Sequence, residues 1–261
     1  MEQPTDQTRK EADPVLSLIV PAYNEASRIA ATVATTVAYL DGQADPYELI
    51  LVDDGSEDQT ATIARAIAAD HPSVMVLSIP HGGKAAATRA GIVHARGELI
   101  AFSDADLATP LTYLADLRQA IANGADVAIG SREGMGARRL GEPAYRHVMG
   151  RGFNWLVRLL VLPGLDDTQC GFKMFRRDAA RAILQKSRLY ADGAEVVTGP
   201  RVTAFDVELL VVSRRLGYRI QAVPVVWTYG TQSKVNPARD TWHNFRDVVR
   251  VRLNDWRGFY R

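Results

Sequence analysis

Short apolar runs at 16–20, 47–52, 74–79, 98–102 and 126–129 alternate with Ala-rich segments of helical spacing near 25–41, 58–70, 84–96 and 110–123. Runs this short and continuously apolar suit strands buried on both faces, and the helices between them can carry the chain back for parallel pairing. The expected fold is therefore α/β: a Rossmann-like, mostly parallel sheet flanked by helices. With 261 residues, 47% of them hydrophobic, the chain can bury a full core and fits one large domain better than two small ones.

The rhythm changes after residue 132, so the expected domain, 15–261, has two halves, 15–132 and 133–261. Residues 143–162 mix Arg146, Arg151 and Arg158 with Phe153, Trp155, Leu156, Leu159 and Leu160, the pattern of a basic amphipathic helix. A strand at 171–176, helices at 178–186 and 205–216 and a strand at 219–227 follow, and a second basic amphipathic helix spans 239–257. Residues 1–14 are polar and expected to be disordered. The segment 188–204, with Gly193, Gly199 and Pro200, is longer than a tight turn and is a candidate acceptor lid.

Basic and acidic residues nearly balance, 31 against 30, which argues against a nucleic-acid partner. Cys170 is the single cysteine, excluding an internal disulfide and matching a reducing compartment. No run reaches the roughly 18 to 20 apolar residues of a membrane span, and the N-terminus lacks a signal-peptide core. The expected location is cytoplasmic, with peripheral contact to the inner face of the cell membrane through the C-terminal basic helix, which alternatively packs on the domain.

Ligands of parallel sheets gather at the carboxyl ends of the strands. Polar residues follow all five runs there: Pro21-Ala-Tyr-Asn-Glu25, Asp53-Asp-Gly-Ser-Glu-Asp58, His81-Gly-Gly-Lys84, Asp104-Ala-Asp106 and Gly130-Ser-Arg132. Ser56 or Asp58 is placed to cap a helix, but clusters on every strand of one edge indicate a built site. Asp104 and Asp106 present two hard oxygen ligands that a divalent cation could bridge to a diphosphate. Lys84 opens a helix after two glycines, so an ammonium and backbone N–H groups would face one anion. Arg89, a turn further on, is either a second donor contact or a solvated helix charge.

These clusters, together with GKAAATRAG at 83–91, SDADLATP at 103–110, DTQCGFKMF at 167–175 and FDVELL at 205–210, resemble the family 2 inverting glycosyltransferases of the GT-A, nucleotide-diphospho-sugar transferase fold. Within that family the chain is most similar to dolichyl-phosphate β-glucosyltransferases and bacterial polyprenyl-phosphate relatives. The resemblance makes 15–132 a nucleotide-sugar-binding half and 133–261 an acceptor half. It implies a UDP-sugar donor, with Pro21, Ala22 and Tyr23 framing the base and Glu25 with Asp53 or Asp54 accepting from ribose or uracil. Lys84 and Arg89 would line the diphosphate-sugar pocket, although Ala85 stands where a glycine is common. Asp104, Ala105 and Asp106 would hold the donor, with Mg²⁺ or Mn²⁺ on Asp106 and Asp104. Lys234, in a loop of altered spacing, and Gln169, in the branch-specific motif, are further acceptor-side candidates.

Arg132, Arg146 and Arg151 are the candidates for an acceptor phosphate, since guanidinium groups fit phosphate oxygens and the neighbouring apolar residues would take the start of a lipid chain. A phosphate nucleophile needs no general base. A hydroxyl acceptor would, and Asp206 or Glu208 would then serve, Asp206 being also a plausible helix cap. The implied reaction is metal-dependent transfer of a hexose, glucose by resemblance, to a polyprenyl phosphate. A soluble or glycan hydroxyl acceptor, or a nucleotide-sugar-binding module without turnover, stays open. Cys170 reads as a small packed hydrophobe rather than a nucleophile.

Overall fold

The computed structural model describes residues 13–189, 204–230 and 237–261, with 237–242 described by backbone alone. Five parallel strands form as the apolar runs predict: β1 (Leu16–Ala22), β2 (Tyr47–Asp53), β3 (Val74–Ser78), β4 (Leu99–Ser103) and β5 (Val127–Ser131). They alternate with α1 (Ile29–Asp41), α2 (Thr60–Asp70), α3 (Gly83–His94) and α4 (Tyr113–Ala122). β6 (Arg138–Leu140), α5 (Ala144–Leu160), β7 (Phe172–Arg176), α6 (Arg177–Lys186) and α7 (Phe205–Arg215) follow, then β8 (Ile220–Pro224), β9 (Val226–Thr228) and α8 (Pro237–Trp256).

The seven-stranded sheet runs β3-β2-β1-β4-β7-β5-β8, so both halves of the sequence build one sheet. β7 alone is antiparallel, inserted between β4 and β5. Side chains alternate across the sheet with the period of two that a pleated strand imposes. Ile19, Ile50, Val52, Ile100, Phe102, Val127 and Ile129 face one core with α7, whereas Leu18, Val20, Leu49, Leu51, Ala101 and Ala128 face the other with α1 and α4.

One expectation needs correction. The strand predicted over 219–227 is broken at Val225, whose N–H donates to Ser131 O at 2.9 Å while its carbonyl accepts from Arg138 N at 3.1 Å. The chain there leaves β5 and joins β6, giving a separate parallel pair, β6 with β9, that the sequence did not announce. The C-terminal helix packs on the domain, with Val248 and Val251 buried beside Asn244, Asp247 and Asp255. No described helix is long and apolar enough to cross a membrane.

α3 lies close on β1 because Gly91 has no side chain: a Cβ there would meet Ile19 Cγ2 at 2.4 Å. Alanine gains about 1 kcal/mol of helix propensity over glycine, but overpacking costs about 1–3 kcal/mol, so the clash should win. Gly91→Ala is expected to lower the urea midpoint, whereas Gly150→Ala in α5, with nothing within 4 Å of the added carbon, should raise it. Equal shifts in both variants would show that α3 has room to move.

Candidate active site

Because β7 is antiparallel, its first residues arrive at the same sheet edge as the last residues of β4. The register pairs Ser103 with Phe172, which sets Asp104 against Gly171. A Cβ on Gly171 would lie 2.0 Å from Asp104 Oδ2, so only glycine leaves room for that carboxylate. Asp104 in turn pairs with the Lys84 ammonium. Burial works against the charge on Lys84, but Asp104 and Asp206 outweigh it and hold its pKa above the ordinary lysine value.

One pair further along, Lys173 lies opposite Phe102, its ammonium 5.4 Å from the ring centroid. The side chain is fully buried and donates to Cys170 O and to Asp206 Oδ1, both at 2.6 Å. Asp206 therefore serves as the counter-charge of a buried lysine and makes no helix cap. Glu208 is unsuited to act as a base: it is wholly buried and accepts from Arg188 N, Leu189 N and Tyr260 Oη. Burial pushes its pKa up. Cys170 is a buried thiol with its pKa raised by burial, as a packed hydrophobe should be.

On the donor side, Pro21 and Ala22 end β1, and Tyr23 stacks on His81 with ring centroids 4.0 Å apart. His81 Nδ1 lies 2.8 Å from Asp54 Oδ2. The same carboxylate accepts Gly82 N–H and Gly83 N–H, each at 2.8 Å. Asp54 is thus spent on shaping the 81–83 loop, and the two glycine amides expected to face an anion face Asp54 instead. Burial raises the Asp54 pKa. Asp53, also buried, accepts Ser56 N–H at 3.3 Å, and Glu25 pairs with Arg28 at 2.8 Å. Asp58, not Ser56, bonds the first amide of α2, Thr60 N, at 2.9 Å. Arg89 turns toward α6, reaching Leu184 O at 3.5 Å.

The arginines expected to await a phosphate are engaged. Arg132 grips buried Asp167 with Nε at 2.7 Å and Nη2 at 2.9 Å and stacks over Trp227. Burial would raise the Asp167 carboxyl, but Arg132 holds it well below the usual carboxylate range. Gln169 donates its backbone N–H to the same carboxylate at 3.2 Å. Arg146 donates to Tyr229 Oη at 2.6 Å, and Arg151 reaches Glu133 at 3.5 Å. Beside Arg132 opens a cavity of about 460 Å³ lined also by Glu133, Arg139, Glu142 and His147. Arg139, not singled out by sequence, pairs with Glu133 and Glu142 and keeps a buried Nε with no hydrogen-bond partner among the described residues. Lys234 and most of the 188–204 segment lie outside the described residues.

Asp106 accepts Ala108 N–H at 3.1 Å, and Ala105 O accepts the Thr32 hydroxyl at 2.7 Å. Burial, then the neighbouring Asp104, raises the Asp106 pKa. A solvent-accessible acid left in a negative corner suits a cation. Among the described residues no group of three or more His, Cys, Asp or Glu side chains is placed to hold a metal ion.

The family model "Glycosyl transferase family 2" matches residues 17–184. The chain belongs to this family. It is 36% identical over 84% of its length to "Dolichyl-phosphate beta-glucosyltransferase ALG5C" of Trichomonas vaginalis, of which it spans 65%. To the "Dolichyl-phosphate beta-glucosyltransferase" of Homo sapiens it is 34% identical over 94% of its length and 77% of that protein. The fold matches glucosyl-3-phosphoglycerate synthase of Mycobacterium tuberculosis, solved with Mn²⁺, UDP and phosphoglyceric acid, at a TM-score of 0.60 and 19% identity, over 93% of this chain and 78% of that one. It also matches mannosyl-3-phosphoglycerate synthase of Rubrobacter xylanophilus, at a TM-score of 0.63 and 15% identity, over 94% and 76%.

Sequence reasoning gave no role to Gly171, Lys173, His81 or Asp167 in this glycosyltransferase. A lysine inside an otherwise apolar strand was the available signal for Lys173, since an unpaired buried charge is too costly to keep. For Gly171→Ala the displaced Asp104 should cut glycosyl transfer by about 10²-fold, the scale of a 1 Å misplacement, with the far-UV spectrum unchanged. Full activity would show that Asp104 need not stay where β7 holds it.

Proposed function

We propose that this protein transfers a glucosyl unit from UDP-glucose to a polyprenyl phosphate of dolichyl type, with inversion at the anomeric carbon. The observation that carries the reading is the likeness to relatives named dolichyl-phosphate beta-glucosyltransferase, 31 to 36% identical over 84 to 94% of this chain. The site geometry is compatible with it. The base would lie against the Tyr23–His81 stack, with Asp53 and Glu25 accepting ribose hydroxyls. The diphosphate would draw Lys84 away from Asp104, exchanging one anion for another.

Asp106, with Asp104 beside it, would hold Mg²⁺ or Mn²⁺, which supplies Lewis-acid neutralisation of the departing diphosphate. An acceptor phosphate oxygen attacks the anomeric carbon from the face opposite the nucleotide. The carbon–oxygen bond to UDP breaks, UDP keeps the electron pair, and an α-linked donor yields a β product. No proton need move, because a phosphate monoester with a second pKa of about 6 is anionic near neutral pH. A hydroxyl acceptor fits less well, since the proposed base, Asp206, already neutralises buried Lys173. Arg146 is the acceptor-side cation favoured here: its partner Tyr229 precedes Gly230, where a Cβ would lie 3.7 Å from Asp106 Oδ2.

With UDP-glucose, a short-chain polyprenyl phosphate and Mn²⁺, the protein should form a β-linked glucosyl phosphate lipid. Chelator, or Asp106→Asn, should lower the rate by about 10²-fold or more. Turnover with hydroxyl acceptors and none with the phosphate would refute the proposal.

A further inference from the structure

α5 is apolar on two sides. One is spent inside, where Val157 is buried and Phe153 and Leu160 pack against the core. The other carries Tyr145, Val148, Met149, Trp155 and Leu159, which are 59, 68, 41, 65 and 66% exposed. At 100° per residue these five span about 120° of the helix circumference, a continuous stripe rather than scattered side chains. Contiguous exposed apolar surface of this kind marks an interaction site. α5 contains three arginines and no acidic residue. Arg151, which reaches Glu133, and Arg158, which pairs with Asp166, border one margin of the stripe, both largely exposed to solvent, and Arg146 borders the other.

We infer that this stripe is the surface by which the protein rests on an anionic lipid bilayer. Tyr and Trp suit a headgroup layer because each joins an apolar ring to a polar handle. The basic margins match anionic lipid. A second copy is a poor match, since a two-fold contact would set an acid-free basic helix against itself. The surface expected from sequence, α8, buries Val248 and Val251 and leaves Phe245, Leu253 and Trp256 exposed, but unlike α5 it carries three aspartates. Docking through α5 would also bring headgroups to the site, because Arg146 in its first turns bonds Tyr229 beside the Asp106 corner. The inference rests on the polyprenyl-phosphate reading only for what the acceptor is; the stripe and its charge stand apart from it.

The test is flotation with vesicles of phosphatidylcholine containing about a third phosphatidylglycerol. The unmodified protein should float with the vesicles, and its tryptophan emission should shift to the blue. Val148→Glu/Met149→Glu should weaken partitioning by about tenfold or more. Val148→Ser/Met149→Ser should weaken it less, and Trp256→Glu on α8 should leave it unchanged. Parent-like flotation of Val148→Glu/Met149→Glu overturns the inference, as does a loss confined to Trp256→Glu. A lipid-independent dimer that the α5 substitutions dissolve overturns it too, by showing that a second copy covers the stripe. Transfer to a water-soluble short-chain phosphate, measured in parallel, separates the claims: flotation without transfer refutes the acceptor reading and leaves the docking surface standing.

Discussion

A lysine ammonium with no solvent exposure, paired with one aspartate, is the constraint on which the candidate active site depends. Taking both charges out of water costs several kcal/mol per ion, offset only when the pair is close and its remaining bonds are made. Lys173 meets that condition with Asp206 and Cys170 O. The pair ties α7 to β7, and β7 can supply it only by running against β4. That same reversal places Gly171 under Asp104 and the Asp167 loop beside Arg132. One antiparallel strand in a parallel sheet therefore shapes the charged corner, Asp104, Asp206, Lys84 and Lys173, and the loop next to it.

The corner is balanced to receive an anion and a cation together. Three carboxylates, Asp104, Asp106 and Asp206, face two ammonium groups, and the Asp106 pKa is raised by desolvation first and by neighbouring Asp104 second. A donor diphosphate arriving with a divalent ion would leave that balance nearly unchanged while exchanging Lys84's partner. On the acceptor side the charges are already paired, Arg132 with Asp167 and Arg139 with Glu133 and Glu142. The proposed acceptor phosphate would therefore enter by exchange, and surface delivery along α5 would place it where exchange is local.

Much of this was legible in the sequence. Continuous apolar runs gave the parallel strands within a residue or two, since a strand buried on both faces has no polar side to blur its ends. The five polar clusters fall together at one sheet edge, where Asp104, Asp106, Lys84 and Tyr23 lie. Strand direction was hidden, because residues 171–176 read alike in either direction and only the connection through α5 sets the reversal. The partners of Arg132 and Glu208 were not legible for one reason: Asp167 and Tyr260 are 35 and 52 residues away in sequence. Asp54 similarly gave its carboxylate to a loop 28 residues on.

The most direct measurement is a double-mutant cycle on folding stability with Lys173→Met, Asp206→Asn and both together. Each single substitution strands a buried charge and should cost about 3–5 kcal/mol. The double variant should be no less stable than the weaker single one. Losses that simply add, within about 0.5 kcal/mol, would contradict a coupled pair at the centre of the site.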